Sequence, residues 1–445
     1  MKRILVFLLL IAGQGLFSQD FDRAKMDQYL EALETHDKAM FSLAILDDGE
    51  VIYQKSIGFA STEKQVKPND QTQYRIGSIT KVFTTTLIFQ LIEEGKLSLD
   101  TKLSEYYPGV KNAENITISH LLSHHSGIFN MTNTPEFKDY MTEPRSKAQM
   151  VKTLEGLDSD FEPGTRGSYS NSGFVLLGYI IEDIRRDTYA SQLQKRIAEP
   201  LGLQRTAYGK TLAQSENHAK SYRHNFGGWA SSFETHMSIP HAAGAITSTP
   251  ADLVTFMNAL FNEKLINQTS LSKMKQINGG FGHGLFRMPF HNMAGYGHGG
   301  NIDAFDSNTA YFETEDMAIA ITANGLNMGM NDIMLGVLSI FFNKPFEIPD
   351  FSAKPIAINK KKLAKYEGVF SSSDLPLKIT LKADGNQLTA QATGQSKIPL
   401  TAYNEAEFRF ETAGIVVLFE MEGNKVDYTT FTLKQGGGSF KFTKE

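Results

Sequence analysis

The chain has 445 residues, 41% hydrophobic and 21% charged, an ordinary globular composition with length for two or three domains. A formal net charge of −5 and the lack of a long basic run argue against a nucleic-acid binder. With no cysteine it has no disulfides and no thiolate metal site, so its stability rests on a packed core.

In chain order, residues 1–18 read as a secretory signal peptide. Lys2 and Arg3 precede an apolar run from Ile4 to Ala12, with cleavage expected at Ser18–Gln19. That run is too short to span a bilayer, and no later segment has the length of a transmembrane helix. The mature chain is therefore expected outside the cytoplasm, periplasmic or extracellular. Phe21 to His36 has a helical apolar rhythm. Phe41–Leu46 and Val51–Lys55 flank Asp47-Asp48-Gly49 and predict a hairpin. Next comes Arg75-Ile76-Gly77-Ser78-Ile79-Thr80-Lys81, running into an apolar helix from Val82 that stops at Gly95. Residues 97–247 read as a mainly helical lobe, with a short helix over Thr117–Gly127 and a longer one over Asn171–Arg186. Ser248-Thr249-Pro250 caps a helix to Phe261. Four strand-like segments follow, Gly282–Arg287, Tyr296–Ile302, Asn308–Glu313 and Met317–Ala323, then a helix over Met330–Phe342. Strands at both ends with helices between predict a sheet built from distant parts of the chain, and a cleft beside the helical lobe. Residues 343–358 form a proline-bearing linker. Residues 359–445 read as a small antiparallel β barrel or sandwich, with a stabilising, lid-forming or oligomerising role and no chemistry of its own.

Ser78 and Lys81 are the candidate chemistry. Both fall in the first turn of the apolar helix, where backbone N–H groups lack partners and an amine beside a hydroxyl can activate it. Ser-x-x-Lys occurs three times, at Ser61–Lys64, Ser78–Lys81 and Ser270–Lys273, and only Ser78 opens a strongly apolar helix. An ordinary helix cap is the competing reading. Two later stretches offer partners. Tyr169-Ser170-Asn171 brings a phenol and an amide to a helix entrance. The phenol can serve as a base only if positive charge lowers its pKa, with Lys81 the source, and Asn171 can hold Lys81 or the substrate. Tyr296-Gly297-His298-Gly299-Gly300-Asn301 is a strand with so little side chain that a ligand can approach its backbone. The N–H groups of Asn301 and Ser78 would make a two-donor oxyanion hole, while His298 could donate to a substrate carbonyl or carboxylate, or tune Tyr169. His120 and His124, four apart, lack a completing carboxylate and read as structural; no metal and no cofactor are expected.

In this order the motifs resemble the serine β-lactamase-like family, which includes class C β-lactamases, D,D-peptidases, D-aminopeptidases and related esterases. Ser78-Ile79-Thr80-Lys81 matches its S-x-x-K, Tyr169-Ser170-Asn171 its Y-x-N, and His298-Gly299-Gly300 stands where class C enzymes carry K-T-G. Leu121-Leu122-Ser123-His124-His125-Ser126-Gly127-Ile128, Phe161-Glu162-Pro163-Gly164 and Pro200-Leu201-Gly202-Leu203 also match. The likeness covers about residues 38–342 within an expected hydrolase domain of 19–342. It implies an α+β fold, a sandwich with an antiparallel sheet and a helical lobe. It also implies an acyl-enzyme on Ser78, proton balance through Lys81, proton delivery by Tyr169, and positioning by Asn171. Histidine in place of the K-T-G lysine removes a fixed charge beside Tyr169 and weakens the anchor for a substrate carboxylate. Tyr222, Phe226 and Trp229 are expected to line the cleft. The expected partner is a small-molecule or peptide substrate, an ester or amide, with D-amino-acid peptides among the candidates. A true β-lactamase or D,D-carboxypeptidase, and a non-catalytic binding protein, are the alternatives. Oligomeric state is not legible.

Overall fold

The computed structural model describes residues 21–445 apart from 213–216, 226–227, 412–413 and 436–437, so the expected leader and Phe226 lie outside the described residues. Ala39–Asp47 (β1) and Glu50–Ile57 (β2) form the hairpin, and Asp48 and Gly49 at its turn both take positive φ, as an Asp-Gly turn of that kind demands. Short strands follow: Tyr74–Arg75 (β3), Ala207–Tyr208 (β4), Tyr222–Asn225 (β5), Gly228–Ser231 (β6) and Ile246–Ser248 (β7). The long ones are Phe286–Phe290 (β8), Met293–Ile302 (β9), Phe305–Phe312 (β10) and Met317–Leu326 (β11).

The main sheet runs β2-β1-β11-β10-β9-β8, with the β5–β6 hairpin attached through β5 to the end of β11. β1 lies antiparallel to β11 from Ala39↔Leu326 to Asp47↔Met317, so the two ends of the domain share one sheet. Both faces of β1 are covered, with the alternation a strand requires. Phe41, Leu43 and Ile45 pack with helices Arg23–Thr35 and Met330–Phe341, while Ala44 and Leu46 face the core that holds Phe83, Leu87 and Phe256. This is the α/β sandwich of an α+β fold.

Helix Thr80–Glu93 runs through that second core and is buried along almost its whole length. Its threonine hydroxyls are largely absorbed internally: Thr86 bonds Val82 O, and Thr84 bonds Thr80 O and Ala242 O. Gly95 stops the helix at φ +68°, and the Lys96 N–H closes on Leu91 O. Phe83 stacks on Phe256 with ring centroids 3.7 Å apart, both fully buried. Phe83→Ala is expected to lower unfolding free energy by about 3–5 kcal/mol in urea titration; a loss under about 1 kcal/mol would show that this stack is not a core contact.

Two expectations change. Residues 97–247 are less helical than their apolar content suggests, with helices such as Lys147–Glu155 and Asn171–Arg185 set among loops and β4–β7. β3, β7 and β4 form their own three-stranded sheet, in which Tyr74 pairs with Ser248 across the chain. Such pairing leaves no local periodicity. The strand expected at Gly282 begins only at Phe286, because Gly284, at φ +70°, turns its backbone onto Thr85 and the Lys81 carbonyl.

Beyond the sheet, Phe346, Ile348 and Phe351 pack back on the first core, so this part of residues 343–358 is a strap rather than a free tether. Eight antiparallel strands from Gly368–Ser371 to Gly438–Lys444 then close into a barrel, the first pairing with the last at Phe370↔Lys444. Closure removes the open edges that a sandwich would leave. Phe370, Phe408, Phe419, Phe431 and Phe442 fill the interior with Tyr366.

Candidate active site

Gly77–Ile79 forms a single 3₁₀ turn that hands the chain to helix Thr80–Glu93. This places Ser78 and Lys81 one turn apart, with Lys81 Nζ 2.9 Å from Ser78 Oγ. The same nitrogen lies 2.8 Å from Asn171 Oδ1 and 2.8 Å from the Ala243 carbonyl oxygen. Both of these oxygens can only accept, so they take two N–H groups of the amine. Lys81 is fully buried with no carboxylate against it among the described residues, and burial pushes its pKa well below the ordinary lysine value. In the neutral form that burial favours, the amine with two N–H groups engaged has one lone pair left, and the third contact is Ser78. The arrangement can therefore take the proton of the serine hydroxyl.

Asn171, first residue of its helix, holds this geometry. Its backbone N–H and Nδ2 both donate to Asn130 Oδ1, at 3.0 and 3.2 Å, which turns Oδ1 toward the lysine. Tyr169 donates its hydroxyl to Ser78 Oγ at 2.7 Å. Burial raises its pKa, only partly offset by that hydrogen bond, so the phenol stays protonated at neutral pH. A phenolate there would need positive charge beside the ring, and the burial of Lys81 works against a charged amine. A protonated Tyr169 has a proton to give, and its ring is braced by His124, whose ring centroid is 4.3 Å away and whose Nδ1 accepts the Ser170 N–H.

β8 pairs with β9 only as far as Phe286↔Gly297. From His298 on, that edge of β9 meets the serine turn instead. A Cβ at Gly77 would fall 2.8 Å from Asn301 N, and one at Gly300 would fall 3.0 Å from Ser78 N. Backbone thus lies directly on backbone, as the glycine-rich strand suggests. Asn301 faces Asp306 across the β9–β10 ladder, and burial pushes the Asp306 carboxyl up to about 6.

The surroundings of His298 disfavour the donor role expected of it. Its Nδ1 lies against the Gly299 carbonyl, which can only accept, so Nδ1 carries the proton; Nε2 is buried with no partner among the described residues. Burial pushes its pKa down to about 3. The ring is neutral and presents an acceptor at Nε2, so it neither donates from that atom nor anchors a carboxylate. Tyr222 is also corrected: it is buried, its hydroxyl donating to Glu63 at 2.6 Å and accepting the Thr62 N–H, so it packs the sheet edge rather than lining a cleft. Trp229, on the β5–β6 hairpin, packs against His224 and against Gly325 of β11. Phe226 lies outside the described residues. His120 and His124 do not share a helical face, because helix Ile118–Leu122 ends between them and His124 takes φ +59°. Of the other serine–lysine pairs, Ser61 bonds Glu63, and Ser270 sits in the surface helix Gln268–Lys275.

Sequence reasoning did not single out the Ala243 carbonyl, Asn130 or His124 as parts of the cluster. A backbone carbonyl has no residue signature, and the role of His124 shows only once its ring lies on Tyr169.

The Beta-lactamase family matches residues 26–337. The chain belongs to this family. Among its relatives is a teichoic acid D-alanine hydrolase of Staphylococcus aureus, 25% identical over 318 residues, which are 70% of this chain and 76% of that protein. The structure of a D-amino acid amidase from Ochrobactrum anthropi SV3, complexed with L-phenylalanine amide, superposes with TM-score 0.64 at 27% identity, covering 72% of this chain and 99% of that one. An octameric penicillin-binding protein homologue from Pyrococcus abyssi covers 95% of this chain and 99% of its own, with TM-score 0.67 at 24% identity. That coverage extends the shared fold beyond the beta-lactamase family match and into the barrel.

Proposed function

We propose that the chain is an exported acyl-enzyme hydrolase that cleaves an ester or amide of a D-aminoacyl group. The observation that carries the reading is the contact set of Lys81, with Nζ 2.9 Å from Ser78 Oγ and its other two contacts on oxygens that can only accept; in the neutral form that burial favours, its lone pair faces Oγ. Lys81 takes the hydroxyl proton as Oγ attacks the substrate carbonyl. The oxyanion that forms is held by the N–H groups of Ser78 and Asn301. As the tetrahedral species collapses, Tyr169 gives its proton to the leaving oxygen or nitrogen and recovers one from the Lys81 ammonium. Water then attacks the acyl-enzyme through the same groups in reverse.

The D-aminoacyl preference draws on the D-alanine hydrolase and the D-amino acid amidase among the relatives. The neutral state of His298 argues in the same direction, since it leaves no fixed positive charge there for the carboxylate of a penicillin or a D-alanyl-D-alanine terminus. Export rests on Lys2-Arg3 and the apolar run to Ala12. The non-catalytic alternative conflicts with the presence of Ser78, Lys81 and Tyr169 in mutual contact.

Treatment with a fluorophosphonate followed by peptide mass mapping is expected to place one adduct on Ser78. D-alanyl p-nitroanilide is expected to turn over faster than its L-enantiomer, with fluorescent penicillin a poor label. An unmodified Ser78 peptide after full exposure would overturn the hydrolase reading, and equal rates for the two enantiomers would remove the D-aminoacyl part alone.

A further inference from the structure

Arg75 precedes Ser78 by three residues, and Asp303 follows Asn301 by two. Their side chains are 1% and 0% exposed, and Arg75 Nη1 donates to Asp303 Oδ2 at 2.7 Å. The same Nη1 donates to Thr235 O at 2.9 Å, and Asp303 Oδ1 accepts the Thr235 N–H at 2.9 Å, which closes a ring of three residues. Nη2 reaches Glu234 Oε1 at 2.6 Å and Lys210 O at 3.3 Å. Asp303 occupies the two-residue turn between β9 and β10, at φ +60°, and Arg223 Nη2 holds its carbonyl at 3.2 Å.

Seen along the chain, Arg75 meets Asp303, Gly77 meets Asn301 and Ser78 meets Gly300. The two segments run antiparallel, pressed together at one end through glycine backbones and tied at the other by a buried ion pair. A single contact would let one segment pivot on the other. Two contacts fix both spacing and tilt. Each segment carries one of the two N–H groups assigned to the oxyanion, and such donors work only within a few tenths of an ångström of their place. As a source of net stability a buried ion pair is inefficient, because desolvation consumes most of its attraction. Its planar, forked geometry is what an apolar pair could not supply.

We propose that Arg75 and Asp303 are a positioning pair that sets the separation of the Ser78 and Asn301 N–H groups; the inference rests on the Ser78 acyl-enzyme reading. Neither residue touches the substrate. Loosening the tie should weaken transition-state binding and leave ground-state binding alone.

The test is Asp303→Asn in the full-length chain, with p-nitrophenyl acetate as substrate and phenylboronic acid as the tetrahedral mimic. The kcat is expected to fall about 10- to 100-fold, as for a misplacement of about 1 Å, and the boronate inhibition constant to rise by a comparable factor with KM nearly unchanged. Because removing one partner of a buried pair can unfold a protein, Asp303→Glu and Arg75→Lys are measured alongside. They keep both charges but change the reach and the fork, and are expected to show the same split between kcat and KM. Any folded variant of the three that retains wild-type kcat and boronate affinity overturns the proposal. So does one that loses activity through KM alone. Failure of the underlying reading is recognised separately, by wild-type protein that forms no fluorophosphonate adduct at Ser78.

Discussion

Lys81→Met is expected to lower kcat by about 10²–10⁴-fold, the usual range for losing a general base, while the chain still folds. Methionine has nearly the length and shape of the lysine stem, so the packing around helix Thr80–Glu93 should persist. What disappears is the lone pair on Ser78 Oγ, together with the N–H bonds to Asn171 Oδ1 and the Ala243 carbonyl. Activity alone does not tell a neutral base from a charged one; the pH dependence of stability does. Burial depresses the pKa of Lys81 in the folded chain, whereas in the unfolded chain it returns to the ordinary 10.5. Between those two values the unfolded state binds one more proton than the folded state. Stability therefore rises with pH across that window, by up to about 1.4 kcal/mol per pH unit. Above pH 10.5 the contribution is complete, and it is lost as pH falls. The methionine variant has no such group.

Denaturant midpoints of wild type and Lys81→Met, compared from pH 7 to 10, should therefore move apart in favour of the wild type as pH rises. The two newly unpaired oxygens shift the whole curve of the variant, by about 1–3 kcal/mol each, but they do not titrate and cannot change this slope. Parallel curves would mean that Lys81 is charged in the folded protein. The assignment of the base would then have to move from Lys81.

Much of this architecture is written locally in the chain. Asp48-Gly49 marks a hairpin turn, Gly95 and Thr249-Pro250 mark helix ends, and β9–β11 follow from alternation with Gly, Asn and Asp between them. The candidate site was legible as three motifs because each is a short run of chain, two of them at the entrance of a helix and one within β9. What escaped is what depends on distant partners. The Tyr74↔Ser248 pairing and the Arg75–Asp303 tie join segments far apart in the chain, and no period or propensity reports them. Charge states escaped for a related reason. Whether Tyr169 serves as base or acid turns on the burial of Lys81, and whether His298 donates or accepts turns on Nδ1 lying against Gly299 O; neither is written in the residue types. Tyr222 looked like an aromatic free for a cleft, and only the position of Glu63 shows its hydroxyl to be engaged.

Gly300→Ala carries the second large effect, and the reason is space rather than backbone freedom. A Cβ at this position would lie 2.0 Å from the Ile76 carbonyl oxygen and 3.0 Å from Ser78 N. Both are main-chain atoms, so no rotamer change relieves the overlap; β9 must move off the serine turn. The Asn301 N–H moves with it, while Ser78, Lys81 and Tyr169 keep their mutual contacts. Loss of one oxyanion donor costs about 10²–10³-fold in kcat, and that is the expected fall on p-nitrophenyl acetate. Gly299 provides the comparison for stability, since a methyl there meets only Ser307 O at 3.7 Å, an ordinary contact. Gly300→Ala should therefore melt at lower temperature than Gly299→Ala, yet still be slowly acylated by fluorophosphonate, because the nucleophile and its base remain in place. If Gly300→Ala turned over ester at the wild-type rate, Asn301 N–H could not be the second donor, and the oxyanion would have to be held by a group elsewhere than on β9.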